Sequence, residues 1–85
     1  MSLDERFSDA QSRVKTLTTR PSNETLLDLY ALYKQGSEGD VAGKRPGMLD
    51  MVGRAKYDAW AKLKGTGKDA AKEKYVALVD RLVGG

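Results

Sequence analysis

The chain has 85 residues with neither cysteine nor histidine, and its 15 basic and 12 acidic side chains leave a net charge of +3. That length holds one unit with a small core, and the composition excludes disulfides, thiolate metal sites and the commonest general base. The charge is unevenly spread: residues 1–42 carry five basic and seven acidic groups, residues 43–85 ten and five. A small binding domain with a mildly positive second half is expected, spanning residues 1–85 and carrying no catalytic or metal centre.

Four segments read as amphipathic helices. The first places Leu3, Phe7, Ala10, Val14 and Leu17 on one face by alternating spacings of three and four. Pro21 ends that segment and suits the start of the next. A second helix is expected from about Ser22 to Gln35, with Gly36 as its stop. Ser37–Leu49 follows as a glycine-rich connection of thirteen residues, long for a bundle. A connection that long lets the second and third helices run parallel. Asp50 reads as the N-cap of a third helix ending near Gly65. Thr66 with Asp69 resembles a capping box opening a fourth helix through Leu82, with Gly84-Gly85 fraying its end. The predicted fold is all-α, a four-helix bundle with a long overhand connection between the second and third helices. No stretch approaches the ~20 apolar residues of a membrane span. Met1–Glu5 lacks the plan of a signal peptide. With the absence of cysteine, this gives a cytoplasmic protein without membrane insertion as the expectation.

Two lysines break the amphipathic pattern. On the second helix Leu26, Leu29, Tyr30 and Tyr33 share a face, and Lys34 falls inside the arc between Tyr30 and Leu27. On the third, Val52, Ala55, Ala59, Trp60 and Leu63 form the apolar arc, while Arg54, Asp58 and Lys62 face away. Lys56 sits inside that arc, between Leu63 and Trp60. One explanation is snorkelling, in which a long stem covers apolar surface while the ammonium reaches water. The other is a cationic pocket for an anion such as phosphate, with tyrosine hydroxyls adding hydrogen bonds. Tyrosines beside lysines also meet the needs of a nucleotide, a ring for the base and cations for its phosphates. Tyr75, in line with Ala71, Leu78, Val79 and Leu82, fits either a core or such a platform. Periodicity does not decide between these readings.

The same residues carry a family resemblance. Tyr30-Ala31-Leu32-Tyr33-Lys34-Gln35 resembles the YxxYKQ motif of acyl-CoA-binding proteins. Arg45-Pro46-Gly47-Met48-Leu49-Asp50, followed by Lys56-Tyr57-Asp58-Ala59-Trp60, resembles that family's RPGMxDxxxxAKxxAW signature. Leu63-Lys64-Gly65-Thr66 is similar to its LKGxS/T connection, and Tyr75 to its final-helix tyrosine. The resemblance implies a four-helix bundle that binds medium- to long-chain acyl-CoA reversibly and does no chemistry on it. It implies ligand contacts at Lys15, Tyr30, Ala31, Leu32, Tyr33, Lys34, Lys56 and Tyr75, with Lys56 and Tyr33 addressing the 3′-phosphate. It implies no cofactor beyond the ligand, a monomer, and enzymes that make or use acyl-CoA as partners. An acyl chain is apolar, and at about 0.8 kcal/mol per methylene a sixteen-carbon chain yields roughly 10 kcal/mol before ordering costs. Leu27, Met48, Met51 and Val52 are candidates for lining its groove. Tyr57 stands where tryptophan is common in the family, Met51 where phenylalanine is frequent, and Val52 where a polar residue is frequent. These departures bear on chain-length preference. A helical nucleic-acid-binding module is the competing expectation. Acids such as Asp50, Asp58 and Asp69, which interrupt any continuous basic face, weigh against it.

Overall fold

The computed structural model describes residues 1–84 and contains four helices: α1 (Leu3–Val14), α2 (Asn23–Glu38), α3 (Met51–Ala61) and α4 (Lys68–Gly84). Their starts follow capping chemistry. Ser2 and Glu5 form a reciprocal box at α1, each backbone N–H donating to the other's side chain at 3.1 Å. The Ser22 hydroxyl accepts from the Thr25 N–H at 3.2 Å, and the Asp50 carboxylate from the Gly53 N–H at 2.9 Å.

Several helix ends differ from the sequence expectation. Regular α1 stops at Val14, and tighter turns carry the chain through Leu17. Helix α2 does not stop at Gly36 but runs on to Glu38. Gly39, at φ 85°, ends it by donating its N–H to the Gln35 carbonyl at 3.0 Å. Gly36 is a packing residue instead. A Cβ there would stand 3.0 Å from Lys72 Cγ and 3.2 Å from Phe7 Cζ, so α4 approaches α2 only because no side chain intervenes. Helix α3 ends at Ala61, short of Gly65, and α4 begins at Lys68 without the Thr66–Asp69 box. The Gly67 carbonyl accepts the first helical bond, from Ala71, while Thr66 donates its N–H back to Leu63. The fraying expected at Gly84-Gly85 falls partly on Gly85, outside the described residues; Gly84 is helical.

Side-chain pairs fix the directions of the helices. Asp4–Lys72 at 2.7 Å and Arg13–Asp80 at 2.6 Å advance together, so α1 and α4 are parallel. Tyr30 faces Lys56, and Gln35 faces Trp60, so α2 and α3 are also parallel. Helix α4 runs against α2, its first turns lying beside Gly36 and Gly39. The long crossover between Gly39 and Asp50 is what this parallel pairing requires. It is tied down by α3: Arg45 grips Asp58 through two bonds of 2.8 and 2.7 Å, Arg54 donates to the Pro46 carbonyl and Tyr57 to the Gly43 carbonyl. Arg54 and Asp58, turned away from the apolar arc, thus hold the loop.

The core lies where α4 meets α1 and α2: Phe7, Ala10, Leu29, Tyr75, Val76 and Val79, flanked by Val14, Leu26, Leu32, Leu78 and Leu82. Helix α3 buries no residue and packs on α2 alone. What seats α3 is polar. Gln35, with no exposed surface, donates to the Asp40 carboxylate at 2.8 Å and the Thr66 carbonyl at 2.7 Å, and accepts from Trp60 Nε1 at 3.1 Å. One side chain thereby joins the end of α2, the crossover, α3 and the approach to α4.

Candidate functional site

Three aromatic rings close the junction of α1, α2 and α4. Phe7 meets Tyr75 edge-on at 5.2 Å and stacks on Tyr33 at 6.0 Å, with Tyr33 and Tyr75 6.5 Å apart. Tyr75 is almost buried, and that burial, with a smaller contribution from Tyr33, raises the pKa of its hydroxyl. It therefore stays a neutral donor at physiological pH. Tyr33 is half open to solvent. Beside this trio lies a pocket of about 540 Å³ whose lining includes Lys15, Arg20, Leu26, Tyr30, Tyr33 and Tyr75.

Lys56 stands over the Tyr30 ring. Its ammonium lies 5.3 Å from the centre of that ring, within cation–π range. Lys56 forms no ion pair among the described residues, and it is exposed, so its stem is not sealed in an apolar pocket. Lys34 behaves differently. Its ammonium is paired with Glu38 one turn on and lies 5.1 Å from the centre of the Trp60 ring. The Glu38 hydrogen bond raises the Lys34 pKa, so this lysine remains charged at every physiological pH.

The sequence-predicted residues thus divide. Lys15, Tyr30, Tyr33 and Tyr75 line one pocket; Lys56 is not in its lining but lies over the Tyr30 ring, and Lys34 is turned towards Glu38 at the end of α2. Ala31 and Leu32 lie on the opposite side of α2. Together with Leu27 they line a second cavity of about 720 Å³ between α2, α3 and α4. That cavity mixes Glu24 and Asp28 with Lys62, Lys74 and Arg81, and its acids make it the poorer host for a polyanion. Met48, Met51 and Val52 stand clear of both, 78%, 77% and 68% exposed, beside a fully exposed Leu49. In the parallel register that sets Tyr30 beside Lys56, Val52 falls level with Leu26, one turn below. An open apolar strip therefore leads away from the tyrosine pocket. Sequence reasoning missed Arg20, Thr18 and Thr19 as lining residues. They belong to the short turn before Pro21, where no helical period marks a face.

Among the described residues no group of carboxylates is placed to hold a metal ion, and no helix is long and apolar enough to cross a membrane. The arrangement offers cations, phenolic donors and ring faces at one end and bare apolar side chains at the other. This suits an amphiphile with an anionic, aromatic head.

Comparison with known proteins agrees with that geometry. A family model described as acyl CoA binding protein matches residues 4–79. The chain is 54% identical over 77 residues to acyl-CoA-binding protein homolog 1 of Caenorhabditis elegans, covering 91% of this chain and 90% of that protein. It is 47% identical over 81 residues to the acyl-CoA-binding protein homolog of Drosophila melanogaster, covering 95% and 94%. Its fold is similar to the crystal structure of Oryza sativa acyl-CoA-binding protein 2, with a TM-score of 0.92 at 39% identity, covering 96% of this chain and 89% of that one.

Proposed function

The chain belongs to the acyl-CoA-binding protein family, and on that footing we propose that it binds medium- to long-chain acyl-CoA reversibly and carries it. The observation that carries this reading is the Lys56–Tyr30 contact at 5.3 Å, which sets an ammonium against a ring that lines one pocket with Lys15, Tyr33 and Tyr75. Lys56 has no acid partner of its own among the described residues, so a phosphate meets an ammonium that is already held in place. The Tyr30 and Tyr33 hydroxyls supply hydrogen-bond donors to the same phosphate, and their rings flank the adenine. Lys15, just past the end of α1, and Tyr75 on α4 contact the head group. The acyl chain follows the open strip past Leu26 to Val52, Met51 and Met48, with methionine adapting to chains of different length. Leu27, Ala31 and Leu32 line the second cavity on the other side of α2, so this mode of binding gives them no direct contact with the head group.

No step here breaks a bond. The residues bind, orient and shield, and we propose no enzymatic activity and no cofactor. The working form is a monomer acting in the cytoplasm, as a single acyl-CoA-binding unit that exchanges its cargo with enzymes making or using acyl-CoA. The nucleic-acid reading finds no support among the relatives.

Calorimetric titration with coenzyme A, a short-chain and a long-chain acyl-CoA tests the proposal. Affinity rises with chain length, and each further buried methylene tightens binding by up to about fourfold. Equal affinity for all three, or no binding, refutes it.

A further inference from the structure

We propose that Glu38 is an affinity-determining residue: it competes with the ligand's phosphates for Lys34 and so weakens the grip of the site on its cargo. The inference rests on the acyl-CoA reading and deepens it. Lys34 and Glu38 are paired on successive turns of α2, with the ammonium also over the Trp60 ring. Lys34 is therefore committed to an internal partner, whereas Lys56, on the neighbouring helix, has no acid partner among the described residues. A phosphate approaching the Tyr30–Tyr33 face reaches Lys56 directly but gains Lys34 only by displacing a carboxylate.

The position of Glu38 makes that displacement easy. It is the last residue of α2, immediately before Gly39 at φ 85°. There the helix dipole disfavours an acid, and lysine preceding glutamate is the weaker order for a pair one turn apart. Glu38 is also half exposed, so water shares the carboxylate. The pair is weak enough to yield to a phosphate, yet it subtracts from every binding event. A carrier has to release what it holds, and a competing carboxylate speeds release without altering the shape of the site.

The test compares wild type, Glu38→Gln, Lys34→Ala and the double variant by calorimetric titration with a long-chain acyl-CoA and with coenzyme A, in about 20 mM and about 200 mM salt. Circular dichroism checks that each variant is folded. Glu38→Gln tightens both ligands by about two- to fivefold in low salt, with a smaller gain in high salt. The gain disappears when Lys34 is already alanine. Unchanged affinity in Glu38→Gln overturns the proposal. So does an equal gain in the Lys34→Ala background, because that assigns the effect to net charge alone. A wild-type chain that binds neither ligand overturns the acyl-CoA reading itself, a result distinct from normal binding that is indifferent to Glu38.

Discussion

Replacing Gln35 by leucine removes three hydrogen bonds while keeping nearly the same volume, and the structure says which loss counts. Trp60 Nε1 keeps a second acceptor, the Gly39 carbonyl at 2.8 Å. The Asp40 carboxylate keeps the Gly65 N–H, also at 2.8 Å, and is exposed to water. The Thr66 carbonyl loses its side-chain donor at the half-buried junction before α4. An acceptor left unpaired there costs about 1–3 kcal/mol. Because the other two groups keep partners, that one loss sets the scale, and we expect Gln35→Leu to destabilise the chain by about 1–3 kcal/mol. For a chain of this size, that is a fall in Tm of roughly 5–20 °C. Urea unfolding followed both by circular dichroism and by Trp60 fluorescence measures it. A loss below about 0.5 kcal/mol refutes the view that this one polar side chain seats α3 and the crossover.

Lys56→Ala lowers acyl-CoA affinity by about tenfold or more, as expected when a charge-assisted phosphate contact is lost. It shifts the melting temperature by less than about 2 °C, because the side chain is exposed; calorimetry and thermal melts separate the two effects. Gly36→Val forces Lys72 and Phe7 aside, and chemical denaturation should show a loss of about 1–3 kcal/mol. The carboxyls of Asp40 and Asp58 are held below their ordinary value of 3.8, by the Gly65 N–H and by Arg45 respectively. The folded chain thus binds these protons less readily than the unfolded one. Their stabilisation is present at neutral pH and is lost as pH falls from about 3.8 through the lower folded values. Thermal melts of Asp40→Asn therefore fall less steeply than wild type between about pH 5 and pH 2.

The helices were legible because their apolar spacing is local, as Phe7, Ala10 and Val14 illustrate. The parallel pairing of α2 and α3 was legible because the connection between them is long. Gly36 was misjudged because a glycine near a predicted helix end signals termination, while the close approach of Lys72 and Phe7 belongs to tertiary structure. Gln35 gave no signal of burial. In sequence it is a polar residue on a helix, and its partner Thr66 lies 31 positions away. Within the candidate site, the break in pattern at Lys34 and Lys56 did not reveal their different surroundings, one paired with Glu38 and the other over Tyr30. The four-residue step from Lys34 to Glu38 was available as a signal of pairing. No such step announces the Lys56–Tyr30 contact, which depends on how α3 seats against α2.

The parallel docking of α1 on α4 also governs how the chain reaches its fold. The Asp4–Lys72 and Arg13–Asp80 contacts join residues separated by 68 and 67 positions, and Phe7 and Ala10 complete their burial only beside α4. A ribosome-bound chain therefore has little core until α4 has emerged, and α1 waits as a capped but unpartnered segment. Closing so large a loop makes folding slower than helix content alone suggests. Because the Tyr33–Tyr75 face forms in the same step, a nascent chain has no assembled pocket before α4 has emerged.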